Sequence, residues 1–417
     1  MAATAAEPEL PSLTAKYETE KHLIIQTFLE MAQCHLTHFD EVLSFEYNSA
    51  MAKLYEKVAN HTLKANELFH QIKSEDKNRK DELIALLEDL PRKLGGYNVP
   101  LTLDLMFRAD GHTFSKLFSF FKKIDLQPFS LAITQAFIAL VFRFGLTNEF
   151  SGMETFYLCS DEITGLSKHG VMTEREQLGA HPFGGKRDKI TSMIAATLSA
   201  NFTPALEIAT DEKLVKEIAQ QRKSYPTFDA RVFPTNQLLV GKMFKSRIQS
   251  CYRNTVSEFH DYFFGTKAGH NLNSTIKLKR MLEIHKFDFE LMCPPCLKYG
   301  VFIKGQKAIV PLKKPFVNDK FIEFLYAKDD FKCPFEFVFF EDMLKAYPHG
   351  HYISESLRNE KKVKFEADAK LQHERDQLKA DKVAEYPRPS KEEVIRLRQL
   401  KKKQKEDARE ARAGKIG

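Results

Sequence analysis

No tryptophan occurs among the 417 residues, and only six cysteines do. Cys34, Cys159, Cys251, Cys293, Cys296 and Cys333 are too sparse for a disulfide scaffold and suit a reducing compartment. Cys293-Pro-Pro-Cys296 is the one close pair in the sequence. A zinc site needs a second pair at ligand spacing, and none follows, so the two read as free thiols in a loop. No run approaches the roughly 18 apolar residues of a membrane span, and the most apolar region, 133–144, reads as a buried helix. The opening residues have neither the basic start of a signal peptide nor the arginines of a transit peptide, so a cytoplasmic location and no membrane partner are expected. Internal repeats are absent. Charge imbalance is small at +7, and it is concentrated: Arg388 to Gly417 holds eleven Lys or Arg against five acids. A basic tail of that kind suits a polyanion such as RNA, and equally a solvated charged helix.

Phenylalanine carries the aromatic load instead, with 35 copies in a chain that is 43% hydrophobic, enough for a sizeable core. Two short apolar runs each end in acid. One is Leu101 to Ala109 followed by Asp110-Gly111; the other is Thr155 to Cys159 followed by Ser160-Asp161-Glu162. Both read as strands, and a strand that stops at Asp-Gly delivers a carboxylate to a sheet edge. Singly, such ends are ordinary turns and helix starts. Side by side they would gather Asp110, Asp161 and Glu162, and like charges that close raise one another's pKa unless cations intervene. One or two Mg²⁺ ions, taking carboxylate oxygens and leaving positions for phosphates, would resolve the conflict.

Along the chain, residues 1–95 form an N-terminal helical extension, closed by Gly95-Gly96. Residues 96–305 hold the strand ending at Asp110, a helix with Phe114, Leu117, Phe118 and Phe121 on one face, an apolar helix near 130–146, and a hairpin with acids at its tip. The start of the Phe114 helix would aim backbone N–H groups at phosphates near Asp110. His181-Pro-Phe-Gly-Gly185-Lys186 then opens a helix whose first turn bears Lys186 and Lys189, a plausible triphosphate grip. Phe228 to Pro234 alternates as a strand, a helix runs from about 235 to 264 with Arg247, Arg253 and Asn254, and 300–304 reads as a late edge strand. Residues 306–387 form a C-terminal extension with a Phe-rich run at 334–340 expected as a buried strand, and 388–417 a basic helical tail.

Six segments, in order and at their spacings, resemble the tRNA-His guanylyltransferase superfamily: Arg108-Ala-Asp-Gly-His112-Thr-Phe114, Ser160-Asp-Glu162, Pro182 to Lys186 with Lys189-Ile190, Phe228-Asp-Ala-Arg231-Val-Phe, Arg247 with Arg253-Asn254, and Tyr299 to Lys304. They are most similar to its branch of guanylyltransferase-like, 3′–5′ RNA polymerase proteins. The resemblance implies an α+β fold: a polymerase-type palm, a mixed sheet with helices on one face, here carrying N- and C-terminal helical extensions. It implies a nucleotidyltransferase that repairs or guanylylates the 5′ end of tRNA or related RNA, with two Mg²⁺ ions and ATP or GTP. Asp110 and Asp161 would hold the metal with the Gly111 carbonyl, assisted by Glu162. Arg108, His112, Phe114, Ser160, Lys186 (where the family has Arg) and Lys189 would contact nucleotide. Arg231, Arg247, Arg253 and Asn254 would contact RNA. A homo-oligomer, dimer or tetramer, is implied as well. The alternatives are a catalytically weak or inactive RNA-binding member and a nucleotide cyclase, which a similar palm with paired Asp also serves.

Overall fold

Residues Asp104 to His112 alternate between two environments. Leu105, Phe107 and Ala109 point one way, and Asp104, Met106, Arg108 and Asp110 the other, as the two-residue period of a strand requires. The computed structural model describes residues 12–37, 45–71, 86–87, 103–112, 114–145, 150, 153–168, 181–210, 215, 226–327, 331–347 and 350–385. Its strands are β1 (Asp104–His112), β2 (Met153–Cys159), β3 (Glu162–Ser167), β4 (Thr227–Thr235), β5 (Val301–Lys304), β6 (Lys307–Pro311) and β7 (Phe337–Phe339). They form one seven-stranded sheet in the order β4-β1-β3-β2-β5-β6-β7.

Every pairing in that sheet is antiparallel, where strands of mixed direction were expected. The physical reason is connectivity: β2–β3 and β5–β6 are hairpins, which join strands antiparallel. Likewise β5 is interior, paired with β2 and β6, rather than an edge. The Phe-rich run at 334–340 supplies only three strand residues, half-exposed, at the sheet's edge.

The helices are α1 (Leu13–Thr37), α2 (Phe45–Gln71), α3 (Phe114–Asp125), α4 (Leu131–Gly145), α5 (Arg187–Ala209), α6 (Gln237–Phe264), α7 (Ser274–His285), α8 (Phe289–Met292), α9 (Pro295–Tyr299), α10 (Asp319–Tyr326), α11 (Phe340–Lys345) and α12 (Glu355–Glu385). Helices of the first 354 residues cover both faces of the sheet, a correction to the one-sided arrangement expected. On the Phe107 face, α3, α4 and α5 meet the sheet through rings: Phe107 lies 5.8 Å from Phe144, and Phe114 lies 4.8 Å from Phe202 and 5.2 Å from Phe228. On the Met106 face, α6 contributes Val240, Met243, Phe244 and Ile248 and α10 contributes Phe321 and Phe324. The same cluster takes Tyr17, Ile24 and Phe28 of α1 and Met51, Tyr55 and Val58 of α2. Phenylalanine on both faces explains why this chain needs so many, and each buried ring contributes roughly 2–3 kcal/mol.

Two glycines permit close approach. A Cβ at Gly165 would fall 2.1 Å from the Phe107 ring, and one at Gly111 would fall 2.5 Å from the Phe114 ring. The described residues form two compact units divided between Ser354 and Glu355; the second is described over 355–385, as α12. The expected boundary at Gly95-Gly96 and the basic tail at 388–417 lie outside the described residues. No helix among the described residues is long and apolar enough to cross a membrane.

Candidate active site

β2 and β3 are joined by the two-residue turn Ser160-Asp161, with Cys159 paired to Glu162 across it. Ser160 adopts φ 56°, a left-handed conformation that costs a non-glycine residue of order 1 kcal/mol and concentrates at functional sites. The Gly111 N–H donates to the Asp161 carbonyl at 3.0 Å and ties the turn to β1. Asp110 and Asp161 are thereby neighbours, as the two strand ends had suggested. Asp161 is pushed up to about 6, first by burial and then by the charge of Asp110, with Glu162 a smaller contributor.

The register extends the site across three strands. Asp110 lies opposite Glu162 on β3 and Asp229 on β4; one step back, Arg108 lies opposite Thr164 and Arg231. Both rows face α6. Arg108 bonds Glu162 at 2.8 Å and lies 3.8 Å from Asp110, while Arg247 of α6 reaches Glu162 at 3.6 Å. Arg231 lies 3.9 Å from Asp229. Asp110 is the open member, its side chain 54% exposed against 16% for Glu162. Asp229 escaped the sequence reading, although it stands two residues from Arg231 and must therefore share its face.

Several expected roles change. Glu162, expected to assist at the metal, anchors two guanidinium groups through one oxygen, Oε2. Arg247, 15% exposed at its side chain, is turned in to Glu162 rather than out to RNA. Arg253 is half-buried, with a guanidinium bond of 3.2 Å to Ser250, and Asn254 is exposed. His112 and Ser160 are exposed near the carboxylates. Phe114, by contrast, is 1% exposed and packs on Gly111, Phe137 and Phe202, so its ring builds core.

Lys186 and Lys189 belong to the other end of the sheet. His181, just before them, meets the Leu103 carbonyl at 2.7 Å, at the start of β1. Leu103 and Asp110 are separated by about 23 Å of extended strand. α5 then runs back toward the acids, and only at Ser199 does it bond the Phe228 N–H, 2.9 Å away and level with Gly111. Lys189 is exposed, with its ammonium 4.8 Å from the Phe183 ring. The structure thus separates these lysines from Asp110 along the length of the sheet.

The sequence reading also missed an open aromatic recess between α3, α4 and the end of β2, walled by Phe118, Phe121, Phe129, Ile133 and Phe137 and reaching Ser160. It adjoins the carboxylates, and α3 begins two residues beyond His112, presenting its N-terminus to the same region. Among the described residues no three His, Cys, Asp or Glu side chains group closely enough to hold a metal. The carboxylate pair fits the smaller demand of Mg²⁺, which is bound through one or two carboxylates with phosphates and water completing its shell.

Residues 96–236 match the model of the Thg1 family, tRNAHis guanylyltransferase. Members of that family are nucleotidyltransferases acting on tRNA. The Thg1 match contains Arg108, Asp110, Asp161, Glu162 and the four strands β1 to β4. No curated protein matches the chain. Among solved structures it is similar to a bacterial tRNA(His) guanylyltransferase (Thg1)-like protein in complex with ATP, at 20% identity and TM-score 0.44, over 60% of this chain and 99% of that one. It is also similar to tRNA(His) guanylyltransferase from Saccharomyces cerevisiae, at 14% identity and TM-score 0.38, over 53% of this chain and 94% of that one.

Proposed function

We propose that the protein is an Mg²⁺-dependent nucleotidyltransferase that adds nucleotides to the 5′ end of tRNA or a related RNA, in the 3′–5′ direction. One observation carries this reading: two carboxylates, Asp110 and Asp161, are held together at the end of β1 and the tip of the β2–β3 hairpin, within the stretch that matches the Thg1 family. Asp110 and Asp161, with the Gly111 carbonyl, are the residues that would hold the metal. Bound there, the cation would neutralise phosphate charge and lower the pKa of an attacking hydroxyl.

The remaining parts are the protein's own. The aromatic recess takes the base of an ATP or GTP, whose flat face suits its half-buried rings, Phe118 and Phe129. The α3 N-terminus lies where phosphates leaving that pocket would pass. Glu162 holds Arg108 and Arg247 in place, and Arg108 lies 3.8 Å from Asp110. In the reaction the family resemblance implies, the 5′-phosphate of the RNA first displaces pyrophosphate from ATP. The 3′-hydroxyl of the incoming nucleotide then attacks that activated phosphate and AMP leaves. Most of the rate comes from alignment, which a rigid antiparallel sheet supplies.

The test is transfer of labelled nucleotide to a 5′-truncated tRNA by wild type and by Asp110→Ala. Equal incorporation by the two would remove the mechanism. RNA binding without any incorporation would leave a non-catalytic RNA-binding protein, and a cyclic product from nucleotide alone would mean a cyclase.

A further inference from the structure

α6 is unusual in its charge. From Gln237 to Ser257 it contains Lys242, Lys245, Arg247 and Arg253 and no carboxylate. Its inner side is set by the buried Val240, Phe244, Ile248 and Cys251, and Arg247 turns to Glu162 of the sheet. At 100° per residue, Lys242, Lys245, Gln249 and Arg253 fall within about 80° of one another on the opposite side of the helix. The loop after β6 runs alongside. A Cβ at Gly241 would fall 2.4 Å from Ile322 and 3.0 Å from Val317, so this loop and α10 lie directly on the helix. Leu312 to Asn318 adds Lys313 and Lys314 and again no acid. Lys313 is taken by Glu336 at 3.0 Å, while the Lys314 ammonium is held below its usual pKa by burial and then by Lys245 and Arg253. Cations from two separate segments therefore converge on one strip of surface. Beside it Phe316 stands 78% exposed.

Like charges brought together in this way call for a polyanion. From Lys242 to Arg253 the strip runs about 16 Å along the helix. Its axis leads from the end of β4 to the level of Arg247 and Glu162, the edge of the candidate active site. We propose that this outward face of α6, with Lys242, Lys245 and Arg253 set against Lys314, grips the phosphate backbone of the RNA and guides its end toward Asp110. Contacts of this kind set position without reading sequence, and Phe316 offers a platform for a base. The proposal deepens the functional reading above and takes from it only the class of polyanion. None of the strip's cations lies within residues 96–236, so it is a feature of this chain outside the family-matched stretch.

The test is the triple variant Lys242→Gln, Lys245→Gln, Lys314→Gln, measured by anisotropy with a 5′-truncated tRNA transcript across a salt series. The slope of log affinity against log salt falls by roughly 0.7–0.9 for each phosphate no longer neutralised, so a decrease of about two is expected, with affinity at least ten-fold lower at about 0.1 M salt. The thermal midpoint and the binding of a fluorescent ATP analogue stay at wild-type values. If the triple variant proves unstable, Lys245→Glu alone is read in the same way. Unchanged affinity and slope would overturn the proposal, as would a defect confined to vesicles of anionic lipid. Wild-type protein that binds tRNA through this strip yet adds no nucleotide would sink the enzyme reading and leave the surface standing.

Discussion

Asp104 and Asp110 lie on the same strand and the same face of the sheet. Asp104 is 1% exposed and accepts a hydrogen bond from the Tyr326 hydroxyl. The polar groups around that end are similarly satisfied: His181 meets the Leu103 carbonyl at 2.7 Å, and Lys304, itself buried, donates to the Leu325 carbonyl at 3.0 Å. Asp110 has its side chain 54% exposed, faces another carboxylate in Asp161, and sits beside a strained turn and an open pocket. Residue type, strand and face are the same, so the surroundings alone divide a structural carboxylate from a chemical one. A buried acid with a donor of its own is satisfied, whereas two adjacent acids repel each other and make a place where a bound cation is most stabilising.

Exchanging the two aspartates for alanine would break the comparison most sharply. Asp110→Ala is expected to lower nucleotide incorporation by at least about a hundred-fold, the scale for removing one fixed charge from a reacting phosphate, while its thermal midpoint stays near wild type because the side chain is exposed. Removal of divalent cation by EDTA should abolish incorporation in the wild type and be reversed by added Mg²⁺. Asp104→Ala should do the reverse. It leaves the Tyr326 hydroxyl without its acceptor, which costs about 1–3 kcal/mol in denaturant unfolding, with activity per folded molecule preserved. If Asp104→Ala lost activity without losing stability, the division between the two ends would fail.

The open end was legible in the sequence because each sign was local. A short apolar run marks β1, the Asp-Gly and Ser-Asp-Glu steps mark two acidic ends, and the two-residue period of a strand places Arg108 and Asp110 on one face. What failed were relations between distant segments. Asp229 became part of the site only through the register of β4 on β1. Lys186 and Lys189 read as a triphosphate grip because a helix start attracts phosphate, yet β3 carries the chain some 20 Å away from the turn before α5 begins. Strand length and direction could have shown this, since a helix that follows a return strand starts at the far end. Phe114 shows the converse: its spacing with Leu117 and Phe121 describes a core face, and the structure buries all three.

An intermediate effect is expected from the wall of the pocket. The Tyr352 hydroxyl accepts from the Phe129 N–H and donates to the Phe129 carbonyl, both at 2.9 Å, and Gln127 donates to the Gly350 carbonyl at 2.8 Å. The loop that carries Phe129 is thus fastened by residues more than two hundred positions away. Tyr352→Phe strips both bonds and keeps the ring. The KM for ATP should rise by about ten-fold with kcat within about two-fold, the split expected when a pocket loosens and the carboxylates stay in place.

The smallest effect separates the two ends by distance alone. Lys189→Ala removes a positive charge some 20 Å from Asp110, well beyond the Debye length of about 8 Å at physiological salt. Its influence on phosphate chemistry at the acids is screened almost entirely, so incorporation should stay within about two-fold of wild type. Arg247→Ala, removing a charge 3.6 Å from Glu162, should cost ten-fold or more, because Glu162 would be left part-buried with one guanidinium fewer and Arg108 would lose its fixed position. Measured side by side in the same assay, the two variants compare charge at the closed end with charge at the open one. A larger loss from Lys189→Ala than from Arg247→Ala would place the triphosphate at the Leu103 end of β1 and move the reacting centre away from Asp110.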